Sequence, residues 1–414
     1  MTTISDQNTE RQYYIDWLRI ILIISVFLFH IGMIFNTWPW HIKNTEQYGG
    51  LLKQVMSFLH FWRMPLLFML SGAGTFFALG KRRPGQYLWE RFKRLVIPLV
   101  IGIFTLVPVQ VYIEKSSQYN SLLDYYPHMF NGIYPEGNFS WHHLWFIAYL
   151  FVISLFITPF LNFLRSRRFE RFVQLIVPVV TKPLALNVFI IPLLISQIIL
   201  RRYFETETNA LVNDWASLTY YLIFFLSGFM LLPVRSIADT IGKYRLWYLA
   251  ETVAAAIVVF RIGTLVKSEE TANIIGDVSE IFLAWSCGIT AIGFARQYLN
   301  KNSPFRKLAN EAIYPFYLLH QPVIVVVGYF AVQLNIPAIL KAILVLISAS
   351  AISVTIYWFL IRPLNLMRVV FGMKTSGNKK RDEAVIIDIM SGMSEADKSL
   401  SVSQKDFKRK LAIN

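Results

Sequence analysis

Cysteine is nearly absent from this chain: a single residue in 414, Cys287, excludes an intramolecular disulfide and any thiolate-pair metal site. Charge is scarce as well. Only 16% of residues are charged, and the 25 acidic residues fall well short of the 40 basic ones, leaving a net charge of +15 at pH 7. So low a charged fraction, with 55% hydrophobic residues and a mean hydropathy of +0.47, excludes an ordinary water-soluble globular chain. Phosphate-binding and dinucleotide-binding glycine loops, a G-x-S-x-G elbow and an H-E-x-x-H pair are also missing. Nucleotide hydrolysis, soluble-type hydrolase chemistry and zinc proteolysis lose support accordingly.

What fills the chain is long apolar runs. Spans of about 20 apolar residues, enough to cross a bilayer, fall near 17–36, 51–80, 95–113, 141–163, 183–201, 216–233, 246–265, 273–294, 311–334 and 338–362. The fold class is therefore all-α, a polytopic integral-membrane helical bundle with about ten transmembrane helices. The loops KRRPGQYLWERFKR, RSRRFER, RSIADTIGKYR and ARQYLNKNSPFRK, after even-numbered spans, are basic, whereas those after odd-numbered spans are acidic or neutral. By the positive-inside rule both termini are cytoplasmic, and the surplus of basic residues sets topology instead of binding nucleic acid. The first apolar segment contains Arg19 and lacks a small-residue cleavage site, so it is expected to stay as a membrane anchor. Residues 1–365 are read as the membrane-embedded domain and 366–414 as a polar cytoplasmic tail without chemistry of its own. FMLSG at 68–72 and FFLSG at 224–228 recur in spans two and six, raising the question of an internal duplication.

Ionisable groups inside spans are costly and mark functional candidates. Arg19 and His30, eleven residues apart, lie within roughly 20° of one helix face and about 16 Å apart along it. That face suits a long ligand, anionic at one end and reactive at the other. The bland alternative is a snorkelling arginine and a histidine bonded to a neighbouring helix. In span two His60 and Arg63 stand at i,i+3 and can face the same cavity. His142 and His143 begin span four at the outer interface, and in span nine Tyr314, Tyr317 and His320 share one side of the helix. Any one of these histidines alone reads as structural; several in one apolar bundle read as a site. A metal is not expected, since neither an H-x-x-x-H spacing nor a thiolate pair accompanies them.

The stretches YYIDWLRIILIISVFLFH, FLHFWRMPLLFMLSG, WERFKRLVIP, HLWFIAYL and AIYPFYLLHQPV, in this order and spacing, resemble the integral-membrane acyltransferase 3 family over nearly all of residues 11 to 365. Within that family the likeness is to the branch associated with succinylation of osmoregulated periplasmic glucans. The resemblance implies an enzyme of a bacterial cytoplasmic membrane moving an acyl group, acetyl or succinyl, from cytoplasmic acyl-coenzyme A to a hydroxyl of an extracytoplasmic glycan. Acyl-coenzyme A is then a donor substrate and no cofactor is bound permanently. Joined with the residue reading, Arg19, Arg91 and Arg94 are assigned to the donor's phosphates, and His30, His60 and His320 to catalysis. His30 is the favoured general base, with transient acyl carriage as its alternative, and Arg63 and His143 are assigned to substrate. The competing class is a transporter whose buried histidines and arginines line a substrate or proton pathway, with spans broken at Pro65, Pro192 and Pro315. His41 and His128 are placed in solvated loops, where their loss is expected to be silent.

Overall fold

A computed structural model describes residues 12–79, 82–204 and 208–376. Among them the regular elements are all helical. Among the described residues eight helices are long and apolar enough to cross a membrane, or nine when a bent pair is counted as one span. In chain order they are α1 (Tyr13–Phe35), α2 (Gly50–Leu79), α3 (Pro84–Glu114) and α4 (His142–Leu164), then, after two shorter helices, α7 with α8 (Trp215–Leu231 and Arg235–Lys243). α9 (Arg245–Leu265), α10 (Glu269–Tyr298), α11 (Pro304–Val332) and α12 (Ala338–Ile361) complete the set. The span expected at 183–201 is α6 (Ala185–Leu200), an apolar helix shorter than the other spans, about 24 Å long at 1.5 Å per residue.

Two segments expected to be loops are helical. α5 (Arg167–Val180) buries Phe169, Val173 and Val180 and turns its arginines away, and α8 bends 105° from α7. Both are amphipathic and too short to span, so a search for apolar runs passes over them. The prolines do not break the spans in the way the transporter reading needed. Pro65 lies inside continuous α2 and Pro315 inside continuous α11, while Pro192 sits in the first turn of the α-helical part of α6, Ile190–Leu200, which follows a 3-10 stretch over Ala185–Phe189. The first-turn position tolerates proline because the missing N–H has no helical partner there.

The centre of the bundle is α1, α2, α10 and α11, whose most apolar stretches are 61–67% buried, against 17% for α9 and 22% for α12 at the periphery. On α1 the exposed stripe is Ile21, Ile24 and Leu28, on the opposite side of the helix from Arg19 and His30. Lipid therefore meets the apolar stripe and the ionisable face points inward. The repeated FxLSG segments meet face to face: a Cβ on Gly72 would overlap the Phe225 carbonyl oxygen, and one on Gly228 the Met69 carbonyl oxygen. Only glycine lets the two backbones approach so closely, and the contacts are reciprocal between equivalent positions of the two motifs. Of the expected 366–414 tail, Asn365–Val370 forms a short helix, and residues 377–414 lie outside the described residues.

Candidate active site

A cavity of about 1590 Å³ occupies the half of the bundle that holds the His30 end of α1. Its wall includes His30, His60 and Arg63 from α1 and α2, His142 and His143 from the start of α4, and Tyr317 and Gln321 from α11. The convergence expected of His30, His60 and Arg63 is present. His30 and His320 are in direct contact, Nδ1 to Nε2 at 2.9 Å, and His320 Nδ1 lies 2.5 Å from the Tyr317 carbonyl oxygen. A carbonyl only accepts, so Nδ1 of His320 carries its hydrogen. With both imidazoles neutral, His320 Nε2 must then accept from His30 Nδ1–H, which leaves the lone pair of His30 on Nε2. His320 is fully buried and does not line the cavity, so it stands behind His30.

Phe29 packs on both His30 and His60. Its ring stacks on His60 at 5.9 Å and carries the Arg63 guanidinium 3.4 Å above its centroid. His143 donates Nε2–H to the Leu318 carbonyl at 3.0 Å, and its Nδ1, buried, meets no partner among the described residues. The Tyr317 hydroxyl donates to the His143 carbonyl, tying α11 to the start of α4. His142 adopts a left-handed backbone, φ +40°, held by its N–H to Ser140 Oγ at 3.0 Å. A non-glycine residue in this region is strained, and such strain collects at functional sites.

The placement of His41 in a solvated loop is overturned. It is buried, its Nδ1 lies 2.5 Å from Glu114 Oε2, and its Nε2 lies 3.2 Å from Gln321 Nε2. Glu114 also accepts from the Tyr134 hydroxyl at 3.0 Å. Burial, then the nearby carboxylate, raises the Tyr134 pKa, so the phenol remains a donor. His128, by contrast, is exposed, as expected.

At the opposite end the three arginines gather around α2 and α11 instead of the cavity. Arg19 donates to the Leu70 carbonyl at 2.8 Å, and Arg91 donates to Thr75 Oγ1 at 2.6 Å, so the two reach the same stretch of α2 from α1 and α3. Arg94 lies over the Tyr314 ring at 5.7 Å, on a π-helical turn, Phe92–Val96, that interrupts α3. Such turns recur at functional sites. Sequence reasoning missed the pair beside them, in which Arg306, 1% exposed, donates to Asp16 while Asp16 lies 3.7 Å from Arg19. Among the described residues no group of three or more histidine, cysteine or acidic side chains is arranged to hold a metal ion.

The polytopic bundle thus carries an imidazole pair at the wall of a large cavity toward one end and an arginine cluster toward the other. The acyltransferase domain family matches residues 12–358, so the chain belongs to that family of membrane acyltransferases. Curated relatives named glucans biosynthesis protein C, from Salmonella typhi and Salmonella typhimurium, are 28% identical over 153 residues, 35% of this chain and 37% of theirs. The relative of that name from Salmonella paratyphi B matches to the same extent. The alignment thus spans little more than a third of the relatives' length. No solved structure matches.

Proposed function

We propose that the protein moves an acyl group from cytoplasmic acyl-coenzyme A to a hydroxyl of an extracytoplasmic glycan across the bacterial inner membrane, with His30 Nε2 as general base. The observation that carries this reading is the chain from the Tyr317 carbonyl through His320 to His30, which leaves a lone pair on the atom of His30 not engaged with His320. In the reaction His30 Nε2 takes the proton of the hydroxyl, the oxygen attacks the thioester carbonyl, and the C–S bond breaks. The thiolate then takes the proton from His30, so the imidazole is restored each turnover. His320 acts through His30 as a positioning residue. Arg63 and His60, on the wall around Phe29, are the groups for the developing oxyanion, and a succinyl donor also finds in Arg63 a cation for its free carboxylate. His143 Nδ1 is an acceptor for a further substrate hydroxyl.

Arg19, Arg91 and Arg94 take the donor's phosphates, for which guanidinium forks are suited. The cavity ends at Val26, about 10 Å short of Arg19 along α1. Leu22, Ile23 and Leu67 are buried in that interval, so entry of the pantetheine arm requires them to part. The test is direct. Purified protein in detergent, given acetyl- or succinyl-coenzyme A and a gluco-oligosaccharide, should release coenzyme A and add the acyl mass to the sugar. Extracellular glycans from cells with and without the protein should differ by the same mass. No thioester consumption and no mass difference would overturn the reading.

A further inference from the structure

The loop between α1 and α2 is fastened at two places. At its base, Lys43 donates to the Met33 and Trp38 carbonyls at 2.8 and 2.9 Å, and the Asn44 and Tyr48 backbone N–H groups return to Ile34 and Phe35. Its tip is held separately, by His41 through Glu114 at the end of α3 and Gln321 on α11. Between the two fastenings lies Trp40. Its ring is nearly parallel to the His30 imidazole, 13° between planes and 6.0 Å between centroids. Its neighbour His41 is further wedged edge-on by His142 at 4.6 Å, and Tyr134, which donates to the same carboxylate, packs on His142 at 4.7 Å.

We propose that Glu114 and His41 are positioning residues for the catalytic imidazole: they clasp the loop tip so that Trp40 lies flat against His30, fixing the ring's orientation and screening it from bulk water at the cavity mouth. The carboxylate is suited to this. A charge-assisted bond to Nδ1–H is short and directional, and Glu114 uses its second oxygen to bring the loop after α3 into the same clasp through Tyr134. Gln321 follows His320 in sequence, so the clasp is anchored on the same turn of α11 that sets the tautomer of His30. This inference rests on His30 being the base, and its test separates the two claims.

The experiment is a double-mutant cycle on the full-length protein with succinyl-coenzyme A and a gluco-oligosaccharide as probes. Glu114→Ala and Trp40→Ala should each lower kcat about tenfold, the order of loss that misplaced catalytic groups produce, with the donor KM unchanged. Because both act through one contact, the double variant should be no slower than the worse single variant. Glu114→Gln, whose amide oxygen still accepts from His41, should keep most of the activity. A double variant as slow as the product of the two single losses, or Glu114→Ala within about twofold of wild type, would overturn the clasp. Carbethoxylation of His30, followed by peptide mass, reads the cover without catalysis. Its rate should rise in Glu114→Ala and stay at the wild-type value in Glu114→Gln, and an unchanged rate in Glu114→Ala overturns the clasp even where His30→Ala reveals that His30 is not the base.

Discussion

The tautomer of His30 depends on a residue that never meets the substrate. His320 accepts from His30 Nδ1 only because its own Nδ1 is committed to the Tyr317 carbonyl. His30→Ala should therefore lower turnover per folded molecule by about 10²- to 10⁴-fold at saturating acyl-coenzyme A. His320→Ala should lose less, since Nε2 of His30 survives but is no longer the favoured lone pair. His320→Gln should recover part of that loss, because an amide oxygen can accept from Nδ1–H. Turnover measured in membranes against the amount of folded protein checks all three, with exposed His128→Ala as the unaffected control. Equal losses in His320→Ala and His320→Gln would remove the positioning role. Arg19, His30, His60, Arg63 and His320 were legible in the sequence because an ionisable group inside an apolar run is an anomaly that one dimension displays. His41 and Glu114 were not. They sit 73 positions apart, one in a loop and one at a helix end, where polar residues are ordinary. Only the fold brings them together, and the same holds for Asp16 and Arg306.

At the scale of the helix, the two FxLSG segments gain a meaning that five shared residues could not supply. They are the two halves of one crossing, in which Gly72 and Gly228 each admit the backbone of the other helix. Other residues of the first segment reach the site: Arg19 bonds the Leu70 carbonyl within the crossing, and Phe68 stacks on Tyr221, a cavity-lining residue, at 4.4 Å. A methyl group at Gly228 has only backbone to displace, so Gly228→Ala should destabilise by at least about 1–3 kcal/mol, as overpacking of a close-packed contact does. Gly263→Ala on α9, where a Cβ meets nothing within 4 Å, should be neutral. Thermal denaturation in detergent, followed by aggregation or tryptophan emission, compares them. A wild-type midpoint for Gly228→Ala would mean that the helices part readily at this point. Spans as a class were readable from apolar length, but α5 and α8 were not, because amphipathic helices lying along a membrane carry only half of that signal.

For the whole molecule, contacts between distant loops sort the ends of the helices into two faces without reference to charge. On one face Trp17 donates to the Lys301 carbonyl, Arg165 to the Arg82 carbonyl, and Arg296 to Asp239, joining the start of α1, the α10–α11 loop, the turns after α2 and α4, and α8. On the other, His41 meets Glu114, Trp141 donates to the Asn209 carbonyl, and Lys341 donates to Asn44. The first face collects the basic loops, so the positive-inside rule turns it to the cytoplasm and turns the cavity mouth outward. Under the proposed function, that orientation faces the arginine cluster to the donor's compartment and His30 to the acceptor's. The partition needs α6 to cross despite its length, because α5 and the loop after α6 belong to opposite faces. Reporter fusions test this. Alkaline phosphatase joined after Asp124 should be active and a fusion after Arg168 silent, with fluorescent-protein fusions giving the reverse. A third pair, after Asn209 and after Lys243, brackets α7 and should repeat the outside-then-inside pattern. If the Arg168 and Asn209 fusions report the same side, α6 is re-entrant, the parity of every later helix inverts, and the two faces derived from the loop contacts cannot both be right.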